Sequence, residues 1–328
     1  MIKATQMRTV NQFFVFRMES CCSVAENRLV NILSPVNYET PKRVHNDVKL
    51  RYWNKLKFYT TMKAFIPLFN LIHQKVKFIS NKLNFNRFQN KTGRKLALTI
   101  EQFISLSLYK QTNGIPTKIS IYKTFKPNCS YKTLVVNMNR FVTLALVILK
   151  MIMDVNRKNS HPIKQTDSTD IPVCLNKNAK NHKVMKFFAK WGYSSKGWYF
   201  GLKLHKTDDL LRKLLAFKFT PANTADKNVF LELNKDLSGL FVADAAYTSE
   251  ELAREFYQEN KRILFAKPRK NMQKLISGFD YCLYNTRFTI EWSFKNLKMF
   301  YNLITSLPRS VEGYLANYIY SLLAYSLA

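Results

Sequence analysis

From Leu96 to Asn156 the apolar positions recur with a helical period. Ile100, Phe103 and Ile104 form one stripe, and Phe141, Leu144, Val147 and Ile148 form another. Pro116 and Pro127 divide this region into short helices. After Asn159 the period changes. Phe200, Leu202 and Leu204 alternate with Gly201, Lys203 and His205, a polar turn follows at Thr207–Asp209, and Leu215, Phe217 and Phe219 then alternate with Ala216 and Lys218, which predicts a β-hairpin. Thr224–Asp226 predict the start of a helix reaching about Leu237. The unbroken apolar run Leu240–Ala243 reads as a strand buried on both faces. Thr248 and Glu251 have the spacing of a capping box for a helix to about Asn260, and Ile263–Ala266 is a further short strand. The second half is therefore a mixed α/β domain. Residues 1–90 show no clear period and are interrupted by Pro35 and Pro41, so they are assigned no chemistry. The boundaries are a basic N-terminal arm at 1–90, a mainly α-helical basic module at 91–158 that is a natural DNA-binding element, and an α/β domain at 159–328.

A helix near the C-terminus carries the first chemical signal. Tyr284, Arg287, Glu291 and Lys298 lie at offsets of three, seven and fourteen, within about 60° of arc on one continuous helix. Ile290, Phe294, Leu297 and Tyr301 form an apolar stripe beside them. The pattern equally suits a surface ion-pair ladder, because Arg287 and Glu291 are an i, i+4 pair. Two further acids join Glu291. Asp244 closes the most apolar strand, where a carboxylate needs a cation or an open cleft. Asp167, in Gln165-Thr-Asp-Ser-Thr169, lies on the expected first strand of the domain. Taken singly, Asp244 also reads as a cap or turn acid and Asp167 as an N-cap. Three carboxylates converging on one point offer oxygen ligands of the kind Mg²⁺ and Mn²⁺ prefer, and a pair of such ions can hold both the attacking and the leaving oxygen of a phosphoryl transfer.

Charge points to the partner. The 328 residues contain 52 Lys and Arg against 21 Asp and Glu, a net charge of +31, which in a chain 47% hydrophobic indicates a polyanion, nucleic acid before an anionic membrane surface. Residues 1–165 hold 28 basic and 6 acidic residues, and residues 166–328 hold 24 and 15. Lys177, Lys180, Lys183, Lys186 and Lys190 recur at three or four, as on one helix face, among Phe187, Phe188, Trp191 and Trp198. Such a face can follow phosphates while the aromatics stack on bases, or it is a solvated face over core aromatics. Five cysteines without a C-x-x-C pair argue for a reducing, cytosolic compartment. The apolar run Phe141–Leu149 is short of a bilayer span, and no secretory h-region is read at the start, so no membrane is expected. The five histidines form no H-E-x-x-H pair, and the eight glycines form no phosphate-binding loop.

The signature Tyr284-x2-Arg287-x3-Glu291-x6-Lys298, with Asp244 and Tyr247 after an apolar strand and the Asp167-Ser-Thr segment before it, resembles the DDE transposases of bacterial insertion sequences. Asp167-Ser-Thr-Asp-Ile-Pro-Val-Cys174, His182-Lys-Val184, Ala189-Lys-Trp-Gly-Tyr-Ser-Ser195 and Gly197-Trp-Tyr-Phe-Gly-Leu-Lys-Leu-His205 most resemble the 982-type elements. The resemblance implies a ribonuclease-H-like fold in which Asp167, Asp244 and Glu291 bind two divalent ions, Mg²⁺ or Mn²⁺. It implies cleavage of transposon-end DNA and transfer of the freed 3′ hydroxyl to target DNA. Tyr284, Arg287 and Lys298 would contact DNA, joined by Lys183, Lys186, Lys190 and Trp198. A homodimer on paired terminal inverted repeats, in the cytosol at the nucleoid, is expected from the same likeness. One departure stands out: relatives usually place the second acid in Gly-Asp-Lys-Gly-Tyr, whereas here the sequence is Ala243-Asp244-Ala245-Ala246-Tyr247. The alternatives are a transposase-derived DNA-binding protein with impaired catalysis and a metal-dependent nuclease that cuts without joining.

Overall fold

The structure, a computed structural model, describes residues 53–88, 95–268 and 277–328. The greater part of the N-terminal arm, with Cys21, Cys22, Pro35, Pro41 and His45, and the first residues of the helical module, 91–94, lie outside the described residues. The chain divides into two compact units. One takes Met1–Phe65 and Ser80–Gln89; its described part is made of portions of helix α1 (Trp53–Leu83) and a 3-10 turn, Phe85–Phe88, after Asn84 in the left-handed region (φ 52°). The other takes Ile66–Ile79 and Asn90–Ala328. Helix α1 is a finding the sequence pattern did not announce. It runs through Pro67, and while Ile72 and Val76 are buried, Leu71 and Phe78 are exposed, so its apolar residues form no single stripe.

Residues 100–158 form four helices, α2 (Ile100–Thr112), α3 (Lys118–Phe125), α4 (Tyr131–Arg140) and α5 (Val142–Lys158), with Pro116 and Pro127 in the connections. Thr99 and Gln102 close a capping box on α2, and Thr117 and Ser130 cap α3 and α4. Ile100, Phe103, Ile104 and Ile148 are wholly buried, and Phe141 and Leu144 nearly so. By length and composition alone Tyr131–Lys158 is apolar enough to cross a membrane. Here Phe141 separates α4 from α5. The C-terminal helix α10 (Val311–Leu327) lies beside them: Tyr320 donates to the Met138 carbonyl at 3.2 Å, and Gln111 Nε2 of α2 donates to Asn317 O at 2.8 Å and Ser321 Oγ at 3.1 Å.

The second half builds one six-stranded mixed sheet from β1 (Ile163–Pro172), β2 (Lys190–Ser194), β3 (Gly197–Asp209), β4 (Leu214–Pro221), β5 (Leu240–Ala243) and β6 (Ile263–Ala266). Strand β3 pairs antiparallel with β1 along one side. Along the other it pairs with β2 through its first residues and with β4 through the rest. β5 lies parallel to β1, and β6 parallel to β5. The expected strand at Ile263–Ala266 is present, and Phe241, Val242 and Ala243 are buried as the apolar run required. α6 (Lys227–Asn234) and α7 (Glu250–Asn260) pack on this end of the sheet, with the Phe256 ring centroid 4.9 Å from those of Phe230 and Phe241. α8 (Gly278–Asn285) and α9 (Phe288–Met299) follow.

Several local expectations are corrected. Thr207–Asp209 is not a turn but the end of β3, and all three residues are fully buried; the chain reverses at 210–213, with Arg212 at φ 64°. α6 ends at Asn234, short of Leu237, and Asp226 makes no cap hydrogen bond. α7 is capped by Ser249, whose side chain accepts from the Leu252 N–H, while Thr248 donates instead to the Lys267 carbonyl at 2.9 Å. Residues 176–190 contain one 3-10 turn, Asn176–Asn178, and no α-helix, so Lys177, Lys180, Lys183, Lys186 and Lys190 share no helix face, although all five are exposed. β2 was not foreseen. Its aromatics Trp191 and Tyr193 point outward, 45% and 70% exposed, while only Gly192 is buried, closely against Ala222, where a Cβ would fall 2.7 Å from its atoms. The usual apolar-inward alternation is reversed.

Candidate active site

Three carboxylates meet at one guanidinium. Asp167 lies midway along β1, Asp244 immediately follows β5, and Glu291 lies in the first turn of α9; β1 and β5 are parallel neighbours, which brings their acids to the same end of the sheet. Arg287, at the start of α9, reaches all three: Nη2 is 3.0 Å from Asp167 Oδ2 and 3.7 Å from Asp244 Oδ2, and Nη1 is 3.0 Å from Glu291 Oε1. Nη1 also lies 3.4 Å from the Tyr284 hydroxyl. The i, i+4 ion pair thus forms, but as one arm of a larger cluster. Exposure is graded across it. The side chains of Asp167 and Arg287 are 14% and 16% exposed, and those of Asp244 and Glu291 are 41% and 49% exposed. The inner pair is shielded while the outer acids open to solvent.

The four signature residues do not share one helix. α8 ends at Asn285 and α9 begins at Phe288. The junction keeps i→i+3 hydrogen bonds, Arg287 N–H to Tyr284 O at 3.0 Å and Ile290 N–H to Arg287 O at 3.1 Å, which preserves nearly the same angular placement. Lys298 lies two turns beyond Glu291, where its Nζ is 2.7 Å from Asp170 Oδ1. The stripe Ile290, Phe294 and Leu297 is buried as expected, and Tyr301 lies past the helix end.

The electrostatics follow from burial. Desolvation pushes the Asp167 carboxyl up to about 6, against the opposing pull of Arg287 and of the Ser168 N–H, which donates to Oδ1 at 2.8 Å. Burial by itself would lower the Arg287 pKa, but Asp167, Asp244, Tyr284 and Glu291 together raise it. Burial also raises the Tyr247 phenol, helped by Asp167, Asp226 and Asp244. Asp244 accepts from the Ala245 N–H at 2.7 Å, so the cap reading and the cluster reading both describe it. Among the described residues no three His, Cys, Asp or Glu are grouped so as to hold a metal ion; the acids face the guanidinium between them.

Sequence reasoning missed the residues that hold this cluster together. Gln165, fully buried on β1, donates through Nε2 to the Thr286 carbonyl at 2.5 Å and accepts from Thr289 Oγ1, which fixes the α8–α9 junction on either side of Arg287. Asp170 neutralises Lys298. Lys203 Nζ, 2.9 Å from Asp226 Oδ1, and Ser168 Oγ, 3.0 Å from the same atom, tie the strand next to Asp167 to the start of α6. Lys183, Lys186 and Lys190 are exposed, and so is Trp198 at 63%, its ring centroid 5.5 Å from that of Tyr193 across the β2–β3 hairpin.

No curated protein matches this chain. Among solved structures it is similar to the Mos1 mariner paired end complex with Mn, at 12% identity over 80% of this chain and 94% of that one, with a TM-score of 0.22. It is similar also to the Mos1 strand transfer complex, at 13% identity over 80% and 93%, with a TM-score of 0.22. Residues 157–311, the stretch that holds Asp167, Asp244, Arg287 and Glu291, match the family model of the transposase DDE domain.

Proposed function

We propose that the protein is an insertion-sequence transposase, of the 982 type by its motifs, that cuts transposon-end DNA and joins it to target DNA using Asp167, Asp244 and Glu291. The observation that carries this reading is the convergence of acids from β1, the end of β5 and α9 on Arg287. Strand order supports a ribonuclease-H-like domain: an antiparallel β4–β3–β1 block is continued by parallel β5 and β6. The match of residues 157–311 supports the same assignment.

The donor set suits a divalent ion in chemistry and in charge, while its arrangement is that of acids spread around a guanidinium, from which they would have to draw together to hold an ion. All ligand atoms are carboxylate oxygens, and one guanidinium against three carboxylates leaves two negative charges uncompensated. Asp167, Asp244 and Glu291 would hold Mg²⁺ or Mn²⁺, which supplies Lewis acidity at the scissile phosphate and an activated water or 3′ hydroxyl. The chain's own part is placement. Gln165 sets the junction that carries Arg287, Arg287 draws the carboxylates together, and the half-exposed Asp244 and Glu291 face incoming DNA. Exposed Lys183, Lys186, Lys190 and Trp198 offer cations and a stacking surface for the duplex. A dimer on paired ends belongs to the same reading.

The test is cleavage of a labelled duplex carrying the terminal repeats that flank the coding sequence, in Mn²⁺ or Mg²⁺, by the wild type and by Glu291→Gln. Metal-dependent 3′-end cutting lost in the variant supports the reading, and strand-transfer products separate it from a nuclease. Salt-sensitive binding with no cutting by the wild type would leave a DNA-binding protein.

A further inference from the structure

Behind the carboxylates the sheet buries a second charged cluster that the chemistry above does not use. Lys206 and Asp208 of β3 and Ser293 of α9 are fully buried. Lys206 Nζ lies 2.6 Å from Asp208 Oδ2 and donates to Ser293 Oγ. Ser293 Oγ stands 2.8 Å from Asp208 Oδ2 and 2.5 Å from the Tyr325 hydroxyl of α10, which in turn donates to the Arg212 carbonyl at 3.0 Å. The ammonium also sits 4.8 Å from the ring centroid of Phe294 and 5.1 Å from that of Tyr325. Asp208 Oδ1 finds no hydrogen-bond partner among the described residues.

A buried ion pair of this kind is a poor source of stability, because desolvation offsets most of its attraction and apolar replacements are often as stable. Its distinguishing property is direction. Ile290, Phe294 and Leu297 hold α9 by apolar contact, which tolerates small rotations, whereas a serine hydroxyl that accepts from a charged amine and donates to a carboxylate does not. Two registers tie this lock to the proposed site. Lys206 is paired directly with Asp167 across the β1–β3 ladder, so the two residues share a face of the sheet. Ser293 is two residues beyond Glu291, about 200° round the same helix, so it turns inward where Glu291 turns toward the cluster.

We infer that Lys206, Asp208, Ser293 and Tyr325 form a positioning network that fixes the rotation of α9, and hence Glu291 and Arg287, against Asp167. The inference rests on the transposase reading of the three acids. None of the four touches the reacting phosphate; they act through the placement of α9.

The test compares the full chain with Ser293→Ala and with the double variant Lys206→Met/Asp208→Asn, which removes both charges at nearly constant volume. Each is assayed in Mn²⁺ on the labelled terminal-repeat duplex, and amide exchange over residues 288–299 is followed in parallel. The expected result is a melting temperature close to the parent's, KM for DNA little changed, kcat reduced about 10²-fold, as for a misplacement near 1 Å, and exchange in α9 about tenfold faster. A kcat that stays at the parent value in either folded variant overturns the inference, whatever the exchange rates show. If Ser293→Ala does not fold, the double variant decides. Failure of the transposase reading looks different: the parent itself binds the duplex and does not cut, and the inference falls with it.

Discussion

The two ends of α9 bind the same strand in opposite ways. At its N-terminal end Arg287 meets Asp167 together with Asp244 and Glu291, one cation against three carboxylates; at its C-terminal end Lys298 meets Asp170 alone. The first contact is charge-deficient and half open, with Glu291 49% exposed, and the second is balanced and closed, with Lys298 and Asp170 16% and 19% exposed. Burial tends to raise the Asp170 carboxyl, but the hydrogen bond and charge of Lys298 hold it below its ordinary value, whereas Arg287 does not bring Asp167 down, which stands at about 6. A balanced pair finishes an ion-pair contact. An excess of acid on one guanidinium leaves work for another cation, and this asymmetry, more than the presence of salt bridges, marks the N-terminal end as the reactive one.

The largest expected effect breaks the comparison at its open end. Glu291→Gln lowers metal-dependent DNA cutting by about 10³-fold or more, while Lys298→Met keeps the chemical step within about tenfold under saturating DNA, as single-turnover assays will show. At the closed end the order reverses for stability. Lys298→Met strands Asp170 and costs about 1–3 kcal/mol in urea unfolding, and Asp170→Asn in the same chain recovers part of it, a coupling absent from additive behaviour. The pH response sharpens the contrast in metal-free protein. The folded pKa of Asp167, raised from 3.8 to about 6, lies above the unfolded one, so the folded state keeps its proton longer and stability falls as pH rises across that window. The loss is on the order of 3 kcal/mol, and Asp167→Asn flattens the curve. Mn²⁺ should raise the melting temperature of the parent and of Lys298→Met but not of Glu291→Gln, with each tenfold excess over Kd adding about 1.4 kcal/mol. The smallest effect concerns the missing glycines. Neither Ala243 nor Ala246 has a positive φ, so Ala243→Gly with Ala246→Gly relieves no strain, costs up to about 1 kcal/mol per site and leaves cutting unimproved.

The sequence made legible whatever rested on uninterrupted apolar pattern. Leu240–Ala243 reads as a short buried strand and Ile263–Ala266 as a short strand, and an acid closing the first of them needed a cation or an open cleft. Asp244 was visible for that reason, whereas Glu291 was visible through its helical spacing with Arg287, and the joining of both with Asp167 through the family resemblance. Less visible was anything that depends on a polar residue inside the protein. Thr207–Asp209 reads as a turn because three polar residues in succession rarely lie in a core, yet Lys206 and Ser293 supply the partners that let Asp208 remain there. Gln165 gave no signal, since an amide's two hydrogen bonds to a junction 121 and 124 residues away leave no periodic trace. The α8–α9 break was hidden by its i→i+3 bonds, which keep the signature spacing almost in phase. Helix-like lysine spacing at 177–190 is carried instead by turns, where only exposure survives from the expectation.

Gln165 has one more consequence. Its amide spends both ends on the same junction, oxygen to Thr289 and nitrogen to Thr286, in a fully buried place where water cannot substitute for either. A small excursion of the junction would leave half of that amide stranded. One buried side chain thus fastens the α8–α9 junction from both sides, and the placement of Arg287 is tied to β1 through it.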